Sequence, residues 1–235
     1  HLAWYTEPGK YWSSPENLRW TAASISLLHT FHQQGGERFV GAGTCAEYDW
    51  RYGHCSEAVT PLEPATLYGT CKNSLQKTLA SFSANTLLSS AWGRVFFLYG
   101  PHEHPARLVP SVINSLLHNE PALCSHGNQI RDFMHVSDVA NAFVALLLSD
   151  ATGPVNIASG KPVSIKDVIY KIAEQLNGFD KIRLNALPAT YEPALITADV
   201  TRLQSEIGFN PRLDLESGLR QTIDWWKNYI KENNG

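Results

Sequence analysis

Net charge is nearly absent from this chain: 19 Lys and Arg against 22 Asp and Glu leave −3, with the nine His taken as neutral. Such a balance gives no electrostatic footing for nucleic acid or for an anionic membrane, although a local cation could still hold a phosphate. Long apolar runs are missing as well. The stretch NAFVALLLSD, residues 141–150, falls well short of the roughly 20 residues that a membrane span needs. Cys45, Cys55, Cys71 and Cys124 form no C-x-x-C pair, which removes the usual zinc and redox motifs and leaves reduced thiols in a cytoplasm as the expectation. His54, Cys55, His102 and His104 are poor metal ligands, since His102 and His104 project to opposite sides of an extended chain. No metal site is expected. No internal repeat or low-complexity tract is present, and the opening HLAWYTEPGKYW is not read as a signal or targeting segment.

What is present is a globular composition, 43% hydrophobic and 17% charged over 235 residues, enough for one large domain or one domain with a small lobe. HLAWYTEPGKYW opens the chain as an apolar strand end running into a loop. A strand end needs a sheet, so the chain is expected to continue upstream, with a trimmed terminus as the alternative. SPENLRWTAASISLLHTFHQQGG predicts a helix over 15–34, with Ser14 as N-cap, Pro15 in the first turn and Gly35-Gly36 as the stop. Its Leu18, Ala22, Ile25 and Leu28 recur at helical spacing and are expected to form the buried stripe. RFVGAG, SAWGRVFFLYGP and GPVNIAS read as strands. Helices are expected in LYGTCKNSLQKTLASFSANT, RLVPSVINSLLHN, VSDVANAFVALLLSD, SIKDVIYKIAEQLNG and RLDLESGLRQTIDWWKNYIKEN. Helices alternating with apolar strands imply an α/β fold, a mainly parallel sheet with helices on both faces. Residues from about 175 to 212 suit a small substrate lobe.

Two patterns carry chemistry. GAGTCA, residues 41–46, fits the G-x-G-x-x-A phosphate fingerprint, but EYDWRYGHCSEAVTPLEP after it has no helical period. A phosphate loop needs a helix N-terminus at that point, so the glycines are read as letting the strand end turn tightly. Tyr68 and Lys72 stand four apart on a predicted helix, hence on one face. An ammonium held there would favour tyrosinate and draw the phenol down towards neutrality, making it a general acid or base.

Further motifs follow in order: Thr44 in GTCAEYD four residues before Tyr48, TPLEPATLYGTCK, GRVFFLYGP, GNQIRDFMHVSDVANA, NIASGKPVSIKDV and ADVTRLQSEIGFNPR. Together they resemble the extended short-chain dehydrogenases/reductases, the nucleotide-sugar epimerase/dehydratase family, across essentially the whole chain. The family's glycine-rich cofactor turn would lie upstream of His1, so the resemblance covers a chain lacking that N-terminal segment. It implies a Rossmann-like sheet without its first strands: residues 1–100 as the remainder of the dinucleotide-binding domain, rejoined by about 130–160, and 101–235 as mainly a substrate-binding lobe.

The resemblance implies Thr44, Tyr68 and Lys72 as the catalytic set. It places NAD or NADP against Ala3, Tyr68, Lys72 and Phe96, and a nucleotide sugar against Phe97, Arg107, Arg131 and Glu192. Arg131 is the expected diphosphate ligand, with an ion pair to Asp132 or Asp138 as its alternative. Asn17 and Arg94 are expected to buttress the site, and Asp199 is a second candidate beside Glu192 for the ribose. Cys45-Ala46 stands where the family's dehydratases carry Asp-Glu, which disfavours dehydration and leaves 4-keto reduction or epimerisation. Phe97 replaces an Asn common in the UDP-galactose 4-epimerase pocket. A catalytically degenerate sensor or scaffold is the alternative. A homodimer is expected through helices 15–34 and 68–83, whose Trp20, Leu27, Leu75, Leu79 and Phe82 look like spare apolar surface.

Overall fold

A computed structural model describes residues 1–188 and 193–233. The chain begins with a loop, then helix α1 (Glu16–Gln33), strand β1 (Arg38–Thr44), short strand β2 (His54–Cys55) and helix α2 (Leu67–Ala84). Strands β3 (Ser89–Val95) and β4 (Phe97–Tyr99) follow, then α3 (Leu108–Leu117), β5 (Ala122–Leu123), β6 (Ile130–His135) and α4 (Val136–Leu148). The remainder is β7 (Gly153–Ile157), β8 (Pro162–Ser164), α5 (Ile165–Leu176), β9 (Ile182–Arg183), β10 (Leu195–Ala198), α6 (Thr201–Ser205) and α7 (Leu215–Asn233).

β1, β3 and β7 form a parallel sheet in that order, with Thr44 opposite Val95 and Val95 opposite Ile157 at the strand ends. Side chains alternate across it as the pleat demands. Phe39 and Trp92 face Leu28 of α1 and Leu75 and Leu79 of α2. Val40, Ala91, Val155 and Ile157 face Val139, Phe143 and Leu146 of α4. The sheet is therefore covered on both sides, as its apolar strands require. A second sheet runs β2-β10-β6-β4, with β8 antiparallel on β6, while β5 and β9 pair apart from it. α3, α5 and α7 build a separate core there from Val112, Ile113, Ile169, Ile172, Leu219, Ile223 and Trp226.

Local signals account for most helix ends. The Ser14 hydroxyl accepts from the Glu16 N–H at 3.2 Å, and Gly35 takes φ +81 to end α1. Ser164 caps α5 through the Asp167 N–H at 3.0 Å.

Four expectations are corrected. Of the expected α1 stripe Leu28 is buried, but Leu18 and Ile25 are 58% and 39% exposed, and Asn17 and Ser24 are buried in their place. Apolar spacing misled here because the packed face is polar: Ser24 bonds the Trp20 carbonyl and the His1 ring. In α2, Leu75 and Leu79 are not spare, being 3% and 2% exposed in this chain's own core. The strand expected over 90–101 breaks at Phe96, whose N–H turns to the Ile157 carbonyl before β4 joins β6 in the other sheet. The opening HLAW is no regular strand, although the His1 α-amino group donates to the Val40 carbonyl and its carbonyl accepts from Ala42. β6 was not foreseen, because its IRDFMH places charged residues in a buried strand.

Gly41 and Gly43 stay inside β1 and do not make a turn; the Trp92 indole occupies the space their Cβ atoms would need. At Gly43 an added Cβ would also overlap Glu47 Oε1. Gly43→Ala is expected to lower the unfolding free energy by about 1–3 kcal/mol, the usual scale of overpacking. Denaturant unfolding of the variant at wild-type stability would contradict that close approach.

Candidate functional site

Thr44 ends β1 in extended backbone and starts a single 3-10 turn over Cys45–Glu47. Its hydroxyl accepts from the Ala46 N–H at 3.2 Å, and Glu47 Oε1 accepts from the Thr44 N–H at 2.8 Å. This reciprocal cap starts the turn, which ends after three residues with Tyr48 extended, so GAGTCA opens no α-helix. The start of α2 lies directly on that turn. Thr66 caps it through the Gly69 N–H at 3.1 Å, and a Cβ on Gly69 would overlap the Ala46 carbonyl. That close approach carries Tyr68 to the end of β1, where the Thr44 hydroxyl faces the phenol.

Aromatic side chains from the opening loop wall the phenol. Tyr11 meets the Tyr68 ring edge-on at 4.9 Å and Trp12 at 5.8 Å, while the Tyr68 N–H donates to the Trp12 carbonyl at 3.1 Å. Asn17 holds this loop through Trp4 Nε1 and the Tyr11 and Ser14 carbonyls. Lys72, one turn along α2 and 4% exposed, donates to the Ala42 carbonyl at 2.9 Å and sits 3.9 Å from the Trp4 ring centroid.

The electrostatics differ from the sequence expectation. Burial pushes the Tyr68 phenol up, and the Thr44 hydroxyl opposes it. Lys72 is engaged with Ala42 and Trp4, so it does not draw the phenol down here. Burial instead pushes Lys72 down to about 7, with the Glu47 charge working against that fall. The Cys45 thiol, beside Thr44, is driven strongly upward by burial and stays protonated.

The other expected residues are dispersed. Phe96 is buried against Cys45 and Tyr48, and Ala3 is exposed. Arg107 lies over the Tyr11 ring at 5.4 Å, one aromatic step from Tyr68. Arg131 is 1% exposed, bonded to the Ile130 carbonyl and 5.3 Å from the Phe97 ring centroid. Asp132 accepts from the Ser159 and Gly160 N–H groups, and Asp138 from those of Arg212 and Leu213, so main chain engages both carboxylates. Asp199 accepts from the Thr201 N–H. Glu192 lies outside the described residues.

Sequence reasoning missed Glu47. It is fully buried, its Oε1 also accepts from Trp92 Nε1 at 2.9 Å, and its Oε2 pairs with Arg94 Nε at 2.8 Å. Arg94 continues to the Tyr48 hydroxyl at 3.0 Å, which donates to Asn156 Oδ1 at 2.8 Å. The available signal was the T-x-x-E spacing of a capping box, Thr44 to Glu47. Among the described residues, no group of three His, Cys, Asp or Glu is placed to hold a metal, and all four cysteines are free and buried. No described helix is long and apolar enough to cross a membrane.

Comparison with known proteins follows the same lines. The family model of the NAD dependent epimerase/dehydratase family matches residues 1–158. A putative UDP-glucose 4-epimerase of Methanocaldococcus jannaschii is 28% identical, over 72% of this chain and 55% of its own length. The dTDP-D-glucose 4,6-dehydratase of Mus musculus is 22% identical, over 86% of this chain and 59% of its own. The solved structure of MoeE5 in complex with UDP-glucose and NAD superposes with a TM-score of 0.81 at 31% identity, covering 92% of this chain and 74% of that one. The chain thus spans less than two thirds of the length of these two curated relatives.

Lys72 gives this site a pH signature. Its folded value of about 7 lies below the value near 10.4 of an exposed lysine. Between them the unfolded chain binds the extra proton, so the Lys72 contribution to stability rises with pH. From pH 7 to 8.5 the wild type should gain about 2 kcal/mol relative to Lys72→Met in paired denaturant titrations. A difference between the two proteins that stays flat with pH would refute the buried cation.

Proposed function

This chain belongs to the NAD-dependent epimerase/dehydratase family, and we propose that it serves NAD(P)-dependent epimerisation or 4-keto reduction of a nucleotide-activated sugar. The observation that carries this reading is the meeting of the Thr44 hydroxyl and the Tyr68 phenol at the carboxyl end of β1, with Lys72 one turn away. Carboxyl ends of parallel strands are where α/β sheets take their ligands. Lys72 fits a dinucleotide: of its three N–H donors, the Ala42 carbonyl takes one, leaving capacity for ribose hydroxyls. Lys72, Tyr68, Phe96 and Ala3 would hold that cofactor. The chemistry it supplies is reversible two-electron transfer with a substrate carbon.

The protein's part is proton transfer and placement. Tyr68 passes a proton to or from the sugar oxygen, and the Thr44 hydroxyl orients that same oxygen. A phenol held above its ordinary value keeps its proton but is a weak acid, and a charged Lys72 beside it would bring it down towards the working range. Arg131 and Arg107 are the cations for the diphosphate, which a guanidinium binds bidentately. Phe97 and Glu192 complete the proposed sugar-nucleotide contacts.

Dehydration fits this site less well. It calls for a carboxyl acid or base directly after the catalytic hydroxyl, where Cys45 carries a protonated, buried thiol. Glu47 is near, but Thr44, Trp92 and Arg94 occupy both of its oxygens. Residues 1–100 with about 130–160 would carry the cofactor, and 101–235 mainly the substrate. Unpaired cysteines accord with a reducing cytoplasm.

Exposed Leu18, Ile25 and Leu27 on α1 support a homodimer formed through that helix and α2. Light scattering at micromolar concentration should give twice the chain mass, and Leu18→Glu with Leu27→Glu should return it to a monomer. A monomeric wild type would end this assembly.

Catalysis is tested with a panel of nucleotide sugars. Thermal shift in the presence of NAD or NADP identifies the ligand that stabilises the protein. On that substrate, Tyr68→Phe should keep the thermal shift and lose about 10²-fold or more in turnover. Wild-type turnover in Tyr68→Phe would sink the mechanism.

A further inference from the structure

Glu47 is a buried carboxylate to which proton transfer at Tyr68 assigns no part. It is fully enclosed, yet it touches the site from behind. Oε1 receives the Thr44 N–H at 2.8 Å and Trp92 Nε1 at 2.9 Å, while Oε2 receives Arg94 Nε at 2.8 Å. On the same strand, two residues earlier, the Ala42 carbonyl receives the Lys72 ammonium at 2.9 Å. The end of β1 is thus clasped by a carboxylate at Thr44 and an ammonium at Ala42. Gly43, between them, has no room for a Cβ beside Glu47 Oε1 and the Trp92 indole.

We propose that Glu47 is a positioning residue of the Thr44–Tyr68–Lys72 site, its carboxylate fixing the Thr44 main chain and acting as the buried counter-charge of Lys72. This rests on the functional reading above for its meaning in catalysis, but not for its physical content. Two further observations support it. The network does not stop at Arg94: that guanidinium reaches the Tyr48 hydroxyl at 3.0 Å, Tyr48 reaches Asn156 Oδ1 at 2.8 Å, and Asn156 Nδ2 donates to the Cys55 and Asp199 carbonyls at 3.0 Å. One carboxylate therefore ties the proton-transfer residues on β1 and α2 to the ends of β2 and β10 in the other sheet. The second observation is electrostatic. The Glu47 charge raises Lys72 against its burial, and it also raises Tyr68.

The charged and titratable groups around the clasp come from every side. Arg94 on β3 compensates Glu47, and Tyr48 follows Glu47 in the chain. Cys45 opens the turn, Tyr68 lies on α2, and the His1 α-amino group meets β1 at Val40 and is itself lowered by burial and then by the Lys72 charge. Glu47 is the one anion among these that acts on Lys72. A positioning role through that charge makes a distinct claim from a role in packing alone, since packing does not require a carboxylate rather than a carboxamide.

The test is an NMR titration of the Lys72 side chain, with amide exchange read at Thr44, in the wild type and three variants. Glu47→Gln keeps the shape and removes the charge; the Lys72 midpoint should fall by about one unit. Trp92→Phe removes a hydrogen bond to the same carboxylate and should leave the midpoint where it is. Glu47→Asp keeps the charge but withdraws it by one methylene; Lys72 should titrate near its wild-type midpoint while the Thr44 amide exchanges on the order of tenfold faster. A Lys72 midpoint unmoved by Glu47→Gln, or Thr44 exchange unmoved by Glu47→Asp, overturns the proposal. If Glu47→Gln does not fold, the Glu47→Asp result decides alone. Neither readout needs substrate, so wild-type turnover in Tyr68→Phe would end the functional reading and leave these titrations standing.

Discussion

The ion pair between Glu47 and Arg94 is the constraint around which the site is built. Both partners are sealed, at 0% and 1% side-chain exposure, so their charges must be met inside the protein. Removing one partner of such a pair costs about 3–5 kcal/mol, because the other is left charged in a medium that solvates it poorly. The requirement propagates outward. Glu47 reaches Arg94 only if the chain turns sharply after Thr44, and the 3-10 turn with its cap supplies that turn. The indole of Trp92 reaches Glu47 only because Gly41 and Gly43 clear its path across β1.

That same turn sets the position of α2. Gly69 rests on the Ala46 carbonyl, so the first turn of α2 approaches the end of β1 as closely as backbone permits. Tyr68 and Lys72 then lie over β1 from one helix face, with Thr44 beneath the phenol and the Ala42 carbonyl beneath the ammonium. Burial raises the neutral form of both groups in relative weight, pushing the phenol up and the ammonium down. The charged forms of both groups are therefore disfavoured in this chain on its own.

The second sheet contributes in a different way. β4 leaves the first sheet at Phe96 and carries Phe97 and Tyr99 to β6, where Arg131 and Phe133 stand on the facing strand. Arg131, one of the two cations proposed for the diphosphate, thus sits across the break between sheets from the hydroxyl groups. The linkage through Tyr48 and Asn156 spans that break with side-chain hydrogen bonds.

By itself the sequence determined the alternation of helices and parallel strands, the capped start of α5, and the candidate trio of Thr44, Tyr68 and Lys72. These follow from local period, capping chemistry and motif order, which depend on near neighbours along the chain. Tertiary structure alone decided which face of α1 is buried, because Ser24 and Asn17 find partners that apolar spacing does not register. It decided that β6 is a strand, since Asp132 is satisfied by main-chain N–H groups 27 and 28 residues away. It also decided the charge state of the site: Lys72 turns to Ala42 and Trp4, and the carboxylate acting on it belongs to Glu47, 25 positions earlier. Desolvation and long-range hydrogen bonds set those outcomes, and neither is written in the spacing of residues.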